Sequence, residues 1–129
     1  MTAVNELTPT QQKVLLEAVR AAHEANQIYC ASIGDPLSLA WEDLPKDQID
    51  GMLRGALHAL ENGDPSHSHQ LWYEDRVANG WTFGPVKDPA RKISPNLIPY
   101  AELPEAQKRK DILFQGIVRA YYLARTASI

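Results

Sequence analysis

Five prolines, Pro85, Pro89, Pro95, Pro99 and Pro104, fall within residues 81–104, out of nine in the chain. Each removes a backbone donor and fixes its own φ, so no long helix can run through this stretch. Trp81-Thr82-Phe83 and Asn96-Leu97-Ile98 have the aromatic and β-branched character of short strands. The expectation is a short irregular β-hairpin formed by these two runs, or an extended proline-rich loop.

Helical signals flank that segment on both sides. Thr8-Pro9-Thr10-Gln11 is a capping box with proline at the first helical position. Val14, Ala18, Ala21, Ala25 and Ile28 follow at three- and four-residue steps, with Leu15, Ala22 and Tyr29 on an adjoining stripe, until Gly34 stops the helix. A second helix runs from Pro45 to Asn62-Gly63 on the stripe Ile49, Met52, Leu53, Ala56, Leu57 and Leu60. Gly51 and Gly55 interrupt it, each at about 1 kcal/mol relative to Ala, which close packing of a neighbour would offset. Asp64-Pro65 caps a third helix ending at Asn79-Gly80, and a fourth begins at Pro104 with Ile112, Leu113, Ile117, Ala120, Tyr121 and Ala124 expected inward. The fold expected is therefore mainly α, α+β at most, with about four helices and the hairpin or loop between the third and fourth. One domain spans 1–129, a length that buries a core without metal or disulfide staples. Trp41-Glu42-Asp43-Leu44-Pro45-Lys46-Asp47-Gln48 and Tyr100-Ala101-Glu102-Leu103-Pro104-Glu105-Ala106-Gln107 echo one another, so two helices are led into in the same way, although the apolar stripes that follow are out of phase by one residue.

With 13 Lys+Arg against 16 Asp+Glu the net charge is -3, which argues against a general nucleic-acid binder. The single Cys30 excludes an internal disulfide and a cysteine-rich zinc site, and fits a reducing cytoplasm. No apolar run approaches membrane-spanning length, and the start Met1-Thr2-Ala3-Val4-Asn5-Glu6 is too polar for a signal peptide. Charge is unevenly divided: residues 1–80 carry 5 basic and 12 acidic side chains, residues 81–129 carry 8 basic and 4 acidic. An anionic ligand is expected on the basic half, at Lys87, Arg91, Lys92 or Lys108-Arg109-Lys110.

Catalytic and metal motifs are not found. His67-Ser68-His69 places two imidazoles at i, i+2, which do not share a helix face, so His67 reads as exposed and His69 as buried or capping. Cys30 sits in an apolar helix two turns from His23, and Glu42-Asp43 and Glu74-Asp75 read as solvated pairs. The glycines are too scattered for a phosphate loop. The expectation is a protein that is not an enzyme, with no cofactor and no metal. What remains is a set of aromatics interleaved with cations. Trp72, Trp81, Phe83 and Tyr100 lie among Lys87, Arg91 and Lys92, and flat rings beside positive charge suit a nucleotide-like ligand. These seven are the candidate ligand-binding residues. Trp72 and Trp81 also have the size to serve as core, and are expected to pack near each other at the base of the proline-rich loop.

Gly80-Trp81-Thr82-Phe83-Gly84-Pro85-Val86-Lys87-Asp88 resembles the signature of the RyR domain, the repeat of ryanodine receptors. Ser94-Pro95, Leu97-Ile98-Pro99-Tyr100, Leu103-Pro104-Glu105 and the upstream His69-Gln70-Leu71-Trp72 extend the resemblance over residues 44–124. Ser94 stands where many members have His. Residues 8–34 form an N-terminal helical extension outside the repeat, similar to that of stand-alone bacterial and phage members. The resemblance implies a regulatory or ligand-recognition module without catalysis, and paired repeats in the receptors imply a homodimer for a lone one. The function expected is thus non-enzymatic binding of a nucleotide or nucleotide-derived signal, which in a phage or bacterial setting extends to sensing or sequestering a defence messenger. The alternative is an interaction module that docks an acidic partner protein.

Overall fold

The computed structural model describes residues 3–127; of the polar start of the chain, Met1 and Thr2 lie outside them. Helix α1 covers Pro9–Ile33 and opens on the capping box: Gln11 N–H donates to Thr8 Oγ1 at 3.1 Å and Thr8 N–H to Gln11 Oε1 at 2.9 Å. Gly34 ends it in the left-handed region, at φ 74°, where a side chain would be strained. Helices α2 (Lys46–Glu61), α3 (Pro65–Ala78) and α4 (Glu105–Thr126) complete a mainly α fold. Asp64 caps α3 by accepting from Ser66 N–H at 3.0 Å, as its sequence predicts.

The most extensive contact is between α1 and α4. There Ala18 and Ala22 let the helices approach, and Leu15, Val19 and Val118 are fully buried beside Ala56, Leu57 and Tyr122. This seam draws on both stripes expected of α1 but not on Ile28, which is 73% exposed. Helix α4 departs further from expectation. Its buried residues are Gln115, Val118 and Tyr122, whereas Ile112, Ala120 and Ala124 face outward. Gln115 is drawn inward because its amide donates to the Asp64 carbonyl at 3.0 Å and to Ser68 Oγ at 2.8 Å. Two hydrogen bonds offset most of the cost of burying its amide, so a polar residue sits on the inward face beside the apolar ones.

The echoed segments fold alike. Trp41–Asp43 and Tyr100–Glu102 are single 3-10 turns, and each is followed by extended Leu-Pro leading into a helix. Pro45 (φ -62°, ψ 150°) and Pro104 (φ -58°, ψ 152°) then occupy equivalent cap positions. Gln48 and Gln107 end up at corresponding places in the first turns of α2 and α4.

The proline-rich segment is not a hairpin. Strand β1 (Thr82–Phe83) pairs in parallel with β2 (Ile93–Ser94), Thr82 opposite Ile93 and Phe83 opposite Ser94. Asn96-Leu97-Ile98 forms no strand. Asp88 and Ile93 exchange both backbone hydrogen bonds (2.9 and 3.0 Å) around a 3-10 turn at Pro89–Arg91. Lys92 at φ 57° turns the chain a second time, so that β2 leaves in the direction of β1. Among the described residues no helix is long and apolar enough to cross a membrane.

Candidate functional site

A cavity of about 450 Å³ opens between the second half of α1, the facing sides of α2 and α3, the first turns of α4 and the loop that follows β1. That volume lies in the range of small-molecule sites. Its floor is built on α3, where His69, Trp72 and Arg76 recur at three- and four-residue steps and so share one face. The Arg76 guanidinium lies 5.5 Å from the Trp72 ring centre and 5.2 Å from that of Trp81. The two tryptophans are therefore joined through one cation at the base of the loop, and Trp81 is 8% exposed.

Arg76 is held from behind. Asp75 Oδ2 lies 3.6 Å from its Nη1, and Asp75 Oδ1 accepts from Arg54 Nη2. Burial lowers the Arg76 pKa, and the charges of Asp75 and Asp47 push back. A β-carbon on Gly51 would run into the Asp75 carboxylate, so this glycine permits the approach of α2 to α3 that seats the pair.

The opposite wall is charged. Asp35 Oδ2 accepts from Gln107 Nε2 at 2.5 Å and from Lys110 Nζ at 2.9 Å. Burial alone would raise the Asp35 pKa, but those two donors outweigh it and leave the carboxyl below its usual range. Lys87 is different. Its Nζ reaches Ser38 Oγ at 3.4 Å, and no carboxylate of the described residues lies within 4 Å of it. Burial pulls the Lys87 pKa down, and the nearby positive charge of Lys110 adds to the effect. The segment carrying Asp35 and Ser38 is pinned by α1: Gln27 Nε2 donates to the Ser38 carbonyl at 2.8 Å, and His23 Nε2–H to the Leu39 carbonyl at 2.8 Å. Asn26 Oδ1, also in the wall, is buried without a hydrogen-bond partner.

His69 is 3% exposed and its ring stacks on Trp72 at 5.4 Å. Its Nε2–H donates to the Ile98 carbonyl at 2.7 Å, which leaves Nδ1 turned toward Asp111 Oδ2 at 3.8 Å. Burial holds this imidazole below its ordinary pKa and pushes the Asp111 carboxyl up to about 7, with Lys110 pulling Asp111 the other way. His67 is exposed and bonded to Asn62 at 2.6 Å, so the two histidines take different roles, as their spacing implies. Among the described residues no group of three or more His, Cys, Asp or Glu is arranged to hold a metal. Cys30 is buried, and His23 bonds a carbonyl rather than this thiol.

Of the seven residues singled out in the sequence, Trp72, Trp81 and Lys87 line the cavity. The other four lie outside it. Phe83 is 60% exposed on its rim side, and Arg91 is exposed and 3.6 Å from Asp88. Lys92 turns back to donate to the Asn79 carbonyl at 2.9 Å because its left-handed backbone points the side chain along the end of α3. Tyr100 packs between His69 (6.0 Å) and Lys108 (5.4 Å), behind the wall. Of the basic run Lys108-Arg109-Lys110 only Lys110 lines the cavity, and sequence reasoning missed Arg76, Asp35 and Asp111 as wall residues. Their signal is a polar helical period: Gln107, Lys110, Asp111 and Phe114 repeat on α4 as His69, Trp72 and Arg76 do on α3.

The family model described as RyR domain matches residues 44–119. The match covers α2, α3, the proline-rich segment and most of α4, and begins after α1 and the Asp35–Leu39 part of the wall.

Proposed function

Because the chain belongs to the RyR domain family, we propose that it is a non-enzymatic module whose cavity binds a small anionic ligand, a nucleotide or a nucleotide-derived signal. The observation that carries this reading is Lys87, a largely buried ammonium without a carboxylate partner. Burial disfavours this charge, Asp35 offsets it only from a distance, and an anionic group in the cavity supplies the missing counter-ion. Trp72 and Trp81, with Arg76 against both, supply flat faces and positive charge for a ring and its phosphate. Binding without conversion is supported by His23 and His69, each of which spends its Nε2 proton on a backbone carbonyl. Asp35 to Leu39 and α1 complete the wall beyond the matched span, so ligand choice is set in part by the extension. In a bacterial or phage cytoplasm, which suits the free Cys30, such a module senses or sequesters a defence messenger. A homodimer is part of the proposal and rests on the pairing of repeats in the receptors; the apolar side chains that α1 leaves exposed, Leu16, Ile28 and Ile33, lie on different sides of the helix.

Calorimetric titration with mono-, di- and cyclic nucleotides tests the binding reading. At least one is expected to bind more tightly than about 1 mM, and heat no stronger than dilution across the panel would contradict it. A second reading is favoured by Phe83 and Leu37, exposed apolar side chains outside the cavity. An acidic partner protein docked there would be lost in Phe83→Ala with Leu37→Ala and retained in Lys87→Met; the ligand reading gives the reverse.

A further inference from the structure

Three carboxyl groups stand in the cavity wall, and they differ in what holds them. Asp35 accepts from Gln107 and Lys110, and Asp75 from Arg54. Asp111 has no hydrogen-bond donor among the described residues, although its side chain is only 18% exposed. Its nearest polar neighbour, His69 Nδ1 at 3.8 Å, presents a lone pair, because the ring's proton is on Nε2 and bound to the Ile98 carbonyl. Lys110, the next residue on α4, is spent on Asp35. The ring of Tyr100 lies beyond His69, and Lys87 faces the cavity from the loop without pairing with Asp111.

A carboxyl left in this position lacks a hydrogen-bond donor, just as Lys87, with Asp35 nearby but not paired to it, lacks a carboxylate in contact. We infer that Asp111 accepts hydrogen bonds from the ligand itself, so that the ligand carries N–H or O–H donors at a distance from its negative group. The inference rests on the proposed nucleotide-binding reading and narrows it. Ionised, as it is above about pH 7, Asp111 offers two oxygens that match a vicinal sugar diol or the amine edge of a base and repel a bare phosphate. The high pKa of Asp111 agrees with a carboxyl that gains a partner only on binding.

The test is calorimetry on the wild type, Asp111→Asn and Asp111→Ala. The probes are AMP, GMP, their 2′,3′-dideoxy forms, purine riboside 5′-monophosphate and inorganic pyrophosphate. Both variants are expected to bind AMP or GMP at least tenfold more weakly, with pyrophosphate unchanged or tighter. In the wild type, a matching loss with the dideoxy forms places the donor on the sugar, and a matching loss with the purine riboside form places it on the base; neither loss carries over additively to the variants. Nucleotide binding that both variants leave unchanged overturns this inference alone. Weakening by the variants with neither analogue weakened also overturns it, since Asp111 then acts on the fold and not on the ligand. Failure of every nucleotide to bind the wild type overturns the functional reading and this inference together.

Discussion

Asp111 keeps its proton to about pH 7 in the folded chain, because burial disfavours the charge, and releases it near its ordinary 3.8 when unfolded. Between those values the unfolded chain has lost a proton that the folded chain retains, so stability falls as pH rises through this window and stays low above it. Asp111→Asn removes that cost. Its melting temperature is expected to exceed the wild type's by more at pH 8 than at pH 5, corresponding to on the order of 2–4 kcal/mol at the higher pH. An equal or reversed difference at the two pH values would contradict the assignment. A residue that lowers stability where it stands, in the wall of a cavity, fits a site kept for binding. Little of this was legible from apolar periodicity. The search for stripes discards polar residues, and the residues that matter here are the polar ones at helical spacing: His69 with Arg76, and Gln107 with Lys110 and Asp111. The unpaired state of Lys87 depends on where Asp35 and Lys110 lie in space, which no local pattern records.

At the scale of elements, the capping box at Thr8, the Asp64 cap and the two Leu-Pro lead-ins were all readable, because each is a local contact within about four residues. The parallel pairing of β1 with β2 was not. It depends on Asp88 bonding Ile93 twice and on a left-handed Lys92, a conformation that residue type would assign to Gly or Asn. The inward face of α4 was legible in part, with Ile117 and Tyr121 packed on the core, but Gln115 escaped it because Asp64 and Ser68 carry it inward. The loop itself is anchored unevenly. Trp81 is buried against Arg76 and donates its backbone N–H to the Arg76 carbonyl at 2.9 Å, whereas Phe83 two residues later is mostly exposed. Chemical denaturation is expected to show about 3–5 kcal/mol lost in Trp81→Ala and under about 0.5 kcal/mol in Phe83→Ala. Comparable losses in the two would mean that Phe83 is covered and that the anchor of the loop lies elsewhere.

In the whole molecule, the family's span and the preceding helix divide the work. The matched region supplies the aromatic floor and Lys87, and α1 with the Asp35–Leu39 segment supplies the remaining wall. The small residues Ala18 and Ala22 are used within the chain against α4. A homodimer must then use another surface, and sedimentation equilibrium at micromolar concentration is expected to give twice 14.4 kDa. A mass that stays at 14.4 kDa contradicts the dimer and leaves the cavity untouched. The central claim is that an anion enters this cavity and meets Lys87, and its most direct measurement is an amide-shift map recorded by NMR during titration with AMP and GMP. The account predicts saturable shifts at His23 and Asn26 on α1, Ser38, Trp72 to Arg76 on α3, Lys87, and Gln107 to Asp111 on α4, all lost in Lys87→Met. Shifts confined to Phe83, Arg91 and Lys92, or none that saturate, would contradict it.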